Sequence, residues 1–287
     1  MSRCDTASAQ RHTFYCAVLE QLNAAGVEYL VGGAFAMAEV TGIAARTKDL
    51  DLFLRRRDCP RALEILRRAG HETEEPFPHW LAKVHRGADV IDIIFNSGNG
   101  ESPLDDSWFV HGLPAEIWGV PVKLCAVEEM IWTKAFVMER ERYDGADIAH
   151  LLRVSAERLD WRRLLQRFGD HWPVLLSHLI LFQYIYPGEA HRLPRAIVSE
   201  LVARIATGSG QAPTDPRLCR GGLMSRAQYA VDFLDWGYVD ARLPPNGHIE
   251  AEDLRIWNDA APDRRRLKVI TAPIGSCAQR SGHGRSG

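Results

Sequence analysis

Three carboxylates sit where a chain rarely puts them. The stretch "KDLDLFL", residues 48–54, sets Asp49 and Asp51 one residue apart among leucines. Further on, "DVIDIIF", residues 89–95, places Asp92 between Ile91 and Ile93. Side chains alternate along a strand, so Asp49, Asp51 and Phe53 share one face while Leu50, Leu52 and Leu54 fill the other. Asp92 shares its face with Val90 and Ile94. A buried ionised carboxylate must be paired, protonated or metal-bound. Three acids from two adjacent strands can converge on a hard cation. Mg²⁺ takes oxygen ligands and usually keeps waters and substrate phosphates in its shell. Two such ions, roughly 3.5–4 Å apart, can hold the attacking and leaving oxygens of an in-line displacement. The competing reading of Asp49 and Asp51 is a solvated face of an edge strand. Asp92, within an apolar run, weighs against it.

Residues suited to phosphate stand nearby. Gly32-Gly33 falls between a strand-like and a helix-like segment, 16 residues before the paired aspartates begin at Asp49. Glycine lets backbone approach a ligand, and a helix start offers free N–H groups to phosphate. There is no GxxxxGK[ST] phosphate loop and no GxGxxG dinucleotide fingerprint. Arg46 and Lys48 flank Thr47 just before the acids and are either phosphate contacts or solvated charges. Lys134 falls on an apolar stripe with Val127, Ile131 and Met138, spaced four, three and four. A lysine so placed either snorkels to water or meets an anion. Arg142, Asp144 and Asp147 lie close together in "RERYDGADIAHLL" and read as a structural ion-pair cluster.

The elements that must position these groups can be outlined. Residues 12–24 read as an amphipathic helix carrying Phe14, Val18, Leu19 and Leu22. "VEYLV" (27–31) reads as a strand, "AFAMAEV" (34–40) as a helix, residues 48–54 as a strand, and "PRALEILRRAG" (60–70) as a helix that Gly70 ends. "HWLAKVHRG" and "ADVIDIIFN" read as two strands of a hairpin turning near Gly87, and residues 116–125 as a short strand pair around Gly119. From Ala126 the texture is helical, broken near Asp144-Gly145, through residue 206. Residues 223–240 are expected to form one more helix with Tyr229, Phe233 and Trp236 facing inward. The expected fold class is α/β, a small mixed sheet with flanking helices, followed by a helical domain. The domain limits are 1–125 for the α/β part, 126–206 for the helical part, 207–260 for a linker and extra helix, and 261–287 for a disordered basic tail.

Composition sets the outer bounds. The 287 residues are 46% hydrophobic and 25% charged, with a net charge of −2, which gives no global reason to bind nucleic acid. Six scattered cysteines without a CxxC pair argue against a zinc site or disulfide scaffold and suit a reducing cytosol. The start "MSRCDTASAQRHTF" lacks the apolar core of a signal peptide. "WPVLLSHLILFQYIYP", residues 172–187, falls short of the ~20 residues that cross a bilayer and reads as a buried helix. The protein is expected in the cytoplasm, with no membrane partner.

The set Gly32-Gly33, then Arg46-Thr47-Lys48-Asp49-Leu50-Asp51-Leu52, then Asp92 on a later strand resembles the nucleotidyltransferase superfamily, the fold of DNA polymerase beta and the CCA-adding enzymes. Lys134, Arg142, Asp144 and Asp147 resemble a helical segment of bacterial relatives. Those include aminoglycoside nucleotidyltransferases and toxins of abortive-infection toxin–antitoxin pairs. The resemblance spans roughly residues 25–155 and implies transfer of a nucleoside monophosphate from an NTP to an acceptor hydroxyl. It implies that Asp49, Asp51 and Asp92 bind two Mg²⁺ ions and are catalytic, with Asp92 also able to take the acceptor's proton. It further implies that Gly32, Gly33, Arg46, Thr47 and Lys134 bind the nucleotide, and that a small protein antitoxin is a partner. Gly33 departs from the pattern, since many members carry a serine there. A small amine-bearing acceptor would use Glu128, Glu129, Asp144 and Asp147. An RNA acceptor would use Arg55 to Arg57, Arg67, Arg68 and the tail, and a protein hydroxyl would suit a toxin. The rivals are a glycosyltransferase that uses Asp49 and Asp51 for the metal of a nucleotide sugar, and a non-catalytic nucleotide-binding protein of the same fold.

Overall fold

The computed structural model describes residues 3–44, 47, 49–208 and 215–260, with side chains from residue 9 onward. Arg46, Lys48 and the 261–287 tail lie outside the described residues. The first part runs α1 (Arg3–Ala24), β1 (Leu30–Val31), α2 (Gly33–Thr41), β2 (Asp49–Phe53), α3 (Cys59–Arg68), β3 (Glu72–Phe77), β4 (Leu81–Arg86), β5 (Asp89–Ile94), α4 (Asp106–Val110), β6 (Leu113–Ile117) and β7 (Val120–Leu124). Its seven strands form one mixed sheet in the order β3-β4-β5-β2-β1-β7-β6. Alternation sorts its faces. Leu50, Leu52, Ile91 and Ile93 are fully buried with Phe14, Val18, Leu19 and Leu22 of α1. The other face carries Asp51 and Asp92.

A helical layer follows: α5 (Val127–Ala135), the two-residue strands β8 (Met138–Glu139) and β9 (Arg142–Tyr143), α6 (Gly145–Ser155), α7 (Trp161–Phe168), α8 (Trp172–Ile185) and α9 (Arg195–Ala206). Ile131, Leu151, Leu164, Leu175 and Phe182 form its core. The last segment holds the parallel pair β10 (Leu218–Cys219) and β11 (Val239–Asp240), with α10 (Ala230–Leu234) between them, and then α11 (Ala251–Asp259), which packs back on β3. No helix among the described residues is long and apolar enough to cross a membrane.

Several local expectations give way to tertiary contacts. The helix from Val127 stops at Ala135, so Met138 is not on its stripe. The Met138 N–H instead donates to the Met224 carbonyl at 3.1 Å, a partner 86 residues away in sequence that helical periodicity ignores. The expected helix over 223–240 shrinks to five residues. Gly237 has φ +67, and the Trp236 carbonyl accepts from Arg217 at 2.9 Å, which leaves Trp236 61% exposed and Tyr229 partly so. Helix α8 is buried on one side only: Leu175, Leu179 and Phe182 are covered, while Ile180, Tyr184 and Ile185 face outward. The strand at 27–31 is reduced to Leu30–Val31, because Val27 still donates to Leu22 at the end of α1. Strand β3, with the acidic sequence "ETEEPF", gave no apolar alternation to read.

Candidate active site

Strand β1 ends against β2, where the Gly32 N–H donates to the Asp51 carbonyl at 3.0 Å. Helix α2 starts at Gly33, whose φ of +55 is one that side-chain-bearing residues rarely adopt. A Cβ at Gly33 would overlap the Asp51 carboxylate, and one at Gly32 would overlap the Phe53 ring. No side chain caps α2, which leaves its first N–H groups open beside Asp51. The paired glycines are therefore a close approach of backbone to carboxylate.

Strands β2 and β5 run parallel, with Asp51 directly opposite Asp92. On the far side of β5, Lys83 of β4 is opposite Asp92 and donates to it at 2.6 Å. Burial, then the neighbouring Asp92 charge, pushes Asp51 up to about 7. Burial also raises Asp92, against the pull of Lys83. Both acids line a cavity of about 600 Å³ roofed by α5, the β8–β9 turn and the 222–227 and α11 segments. Asp49 stands exposed at the start of β2. Thr47 turns its hydroxyl onto the Asp49 backbone, accepting from its N–H at 3.2 Å. The strands thus bring Asp51 and Asp92 together and leave Asp49 at the rim. Among the described residues no three His, Cys, Asp or Glu side chains gather closely enough to hold a metal ion. The donor chemistry nevertheless fits a hard cation with phosphate: carboxylate oxygens alone, beside a helix start that only glycine allows.

The charges beyond this floor are already matched. Lys134, 13% exposed, donates to Asp147 at 2.6 Å and Asp144 at 3.1 Å. Arg142 holds Asp144 through two hydrogen bonds of 2.9 Å. Burial would raise Asp144, yet Arg142 and Lys134 keep it below the ordinary carboxylate range. The lysine on the apolar stripe has therefore met anions, and they are the chain's own. Glu128 and Glu129 are tied to Arg163, and Glu129 also to Arg167. The four acids expected to receive an amine-bearing acceptor are thus all in ion pairs. The basic residues expected for RNA fare likewise: Arg55 meets Glu28, Asp58 and Asp106, Arg56 meets Glu75, Arg57 meets Asp106, and Arg67 and Arg68 both meet Glu64.

Two sets of lining residues escaped the sequence reading. Lys83 could have been found, since a hairpin turning at Gly87 pairs it with Asp92. The aromatic side of the cavity, with Phe77, Trp80 and Trp257, could not, because Trp257 arrives from a segment with no motif.

No family model matches the sequence, and no curated protein matches it. Among solved structures the chain is similar to the antibiotic-resistance factor ANT(2'')-Ia, at 16% identity over 64% of this chain and 96% of that one, with a TM-score of 0.38. It is similar to the lincosamide antibiotic adenylyltransferase LnuA with lincomycin bound, at 15% identity over 50% of this chain and 96% of that one, TM-score 0.37. It is also similar to an antigenic nucleotidyltransferase-like protein from Paracoccidioides brasiliensis, at 17% identity over 60% of this chain and 92% of that one, TM-score 0.36. At this distance the likenesses assign no activity, acceptor or residue role.

Proposed function

We propose that the protein is a nucleotidyltransferase that moves a nucleoside monophosphate from an NTP to an acceptor hydroxyl. One observation carries the reading: a facing carboxylate pair, Asp51 and Asp92, lies at the base of a cavity beside an uncapped helix start that touches Asp51 without a Cβ between them. A glycosyltransferase would need the two acids of β2 but neither the glycine contact nor Asp92.

Asp51 and Asp92 would hold Mg²⁺, with Asp49 next along the same face. When bound, the ion would neutralise charge on the phosphate oxygens. The chain's own groups supply the rest. The open N–H groups of α2 receive the phosphate chain. Asp92, held in place by Lys83, accepts the proton of the acceptor hydroxyl, provided that hydroxyl reaches hydrogen-bond distance. The acceptor oxygen then bonds to the α-phosphorus, and the bond to the bridging oxygen breaks. Pyrophosphate leaves with that electron pair. Lys134 and Arg142, both lining the cavity, face the charge that grows on it. The acceptor is a small molecule, an RNA end or a protein side chain. In the last case a small antitoxin would restrain the enzyme. An enzyme that consumes NTPs would work in the cytosol.

The test is incubation with Mg²⁺ and each α-labelled NTP against tRNA, total protein and small hydroxyl compounds. Label should pass to one acceptor class with wild type and not with Asp51→Asn. Equal turnover by both proteins would sink the assignment of the site.

A further inference from the structure

The face that carries the acids is written in two rows. The first row is Asp51, Asp92 and Lys83, in register across β2, β5 and β4. Two residues further along each strand, the second row is Phe53, Ile94 and Leu81, also in register. At about 3.3 Å per residue the rows stand roughly 7 Å apart. The apolar row continues to the sheet edge, where Leu81 pairs with Phe77. There the Phe77 and Trp80 rings stack at 5.8 Å with an interplanar angle of 7°. Trp257 of α11 meets Trp80 edge-on at 6.4 Å, and the Arg226 guanidinium lies 5.2 Å from its ring centre. All three aromatic residues line the cavity. The Trp80 indole N–H is buried and has no hydrogen-bond partner among the described residues.

We propose that this wall is the acceptor subsite and that the acceptor is a small, flat, uncharged ring compound bearing a hydroxyl, such as a phenol or an aromatic alcohol. The proposal rests on the nucleotidyltransferase reading and names the substrate class of that same site. Three observations combine in it. Position comes first: the glycines lie on the β1 side of Asp51, so the phosphate chain occupies that side. The wall lies on the opposite side, past Asp92, where an attacking hydroxyl must stand. Charge comes second: Glu128, Glu129, Asp144 and Asp147, the four acids expected to draw an amine-rich acceptor, are already matched by arginine and lysine. Chemistry comes third: an apolar row bordered by stacked rings suits a planar apolar body. The roughly 7 Å between the rows is about the length of a fused two-ring alcohol, so its hydroxyl can stand at Asp92 while its far ring lies on the apolar row.

The experiment titrates the full-length protein with 2-naphthol, with kanamycin and, in parallel, with each of the four NTPs and Mg²⁺, reading tryptophan fluorescence and binding heat. Two variants are compared with wild type. Trp257→Leu keeps apolar bulk and removes the ring. Gly98→Ala pushes on the Trp257 ring from beneath, since a Cβ there would overlap it, and leaves every aromatic side chain present. Naphthol should bind wild type and kanamycin should not. Naphthol binding should weaken about tenfold in Trp257→Leu, by loss of stacking, and by a smaller factor in Gly98→Ala. The affinity for Mg²⁺–ATP should hold within about twofold in both, because the ring is remote from the phosphate side. Naphthol that fails to bind wild type, or binds all three proteins alike, overturns the subsite. So does a fall in ATP affinity with naphthol unaffected, which gives the wall to the nucleobase. If naphthol behaves as expected while wild type binds none of the four Mg²⁺–NTPs, the nucleotide reading falls and the ring preference of the wall stands.

Discussion

Two acidic regions of this molecule have met different fates. In the helical layer, Glu128 and Glu129 are buried against Arg163 and Arg167, and Arg167 reaches on to Asp105 of the sheet domain. Burial alone would raise Asp105, but the Arg167 and Ser107 hydrogen bonds hold it at about 2. On the sheet floor, Asp51 and Asp92 face each other with Lys83 on one side only, and Asp51 rises to about 7. Guanidinium groups offset the charge of these carboxylates and fix their geometry. A carboxylate pair left short of positive charge keeps room for a ligand that brings it. The contrast separates scaffold from site more sharply than the number of acids in either region.

The largest expected effect breaks the floor. Asp51→Asn should cut transfer of labelled NMP more than about 100-fold, since the lost group stands where phosphate charge must be met. Its urea midpoint should not fall, because the change removes a carboxylate from beside another. A folded, fully active Asp51→Asn protein would erase the distinction between the two regions.

The converse variant lies in the helical layer. Arg163→Met strips one partner from Glu129, whose side chain is fully buried, and should cost about 3 kcal/mol of stability. Transfer per folded molecule should stay near wild type. Denaturation in urea, with activity corrected for the folded fraction, reads both. If this variant lost activity without losing stability, the arginine network would belong to the site.

Much of this division was legible before any coordinates. Alternation in "KDLDLFL" and "DVIDIIF" put Asp51 and Asp92 on the face opposite the leucines, because strand periodicity is local. The Gly32-Gly33 bend was legible for the same reason. Its purpose was not, since the overlap of a Gly33 Cβ with Asp51 needs the β1–β2 pairing. Asp49 shares that face but stands exposed at the start of β2, since sharing a face does not bring a residue to the same depth. The Lys134 stripe ended early because Met138 answers to Met224, and Trp257 reached the cavity through a segment with no local signature. What the sequence hides here is long-range pairing, and the ion pairs of Glu128, Glu129, Asp144 and Asp147 belong to that class.

A smaller effect tests the contact itself. Gly33→Ala asks alanine to hold φ +55, which costs roughly 1–2 kcal/mol, and sets a methyl group against Asp51. Stability should fall by more than that amount, because the overlap with Asp51 adds to the backbone strain, and the KM for Mg²⁺–NTP should rise about tenfold as the bend shifts. Gly42→Ala is the control. It also has positive φ, 73°, but a Cβ there meets open space. The control should lose stability alone. Equal kinetic damage in both would mean that the bend acts only through the fold.

The smallest effect lies in the helical layer and sharpens the comparison from the other side. His178 of α8 is buried, and its Nε2 lies 3.0 Å from the Ala135 carbonyl at the end of α5. That geometry asks the ring to donate there. Burial lowers its pKa from 6.5, against a small opposing pull from the carbonyl. The unfolded chain therefore takes up a proton near pH 6.5 that the folded protein still refuses. Folding stability is full above that pH and declines as the pH falls from 6.5 toward the lower folded value. His178→Gln keeps a donor for Ala135 and removes the titration. The thermal midpoint of wild type should drop between pH 7 and pH 5 by more than that of the variant, in the absence of ligand. His71 and His79 are also lowered by burial and remain in both proteins, so their share cancels in the difference. Parallel midpoints would mean that His178 is charged or solvated in the fold, and that the helical layer is less dry than its matched ion pairs require.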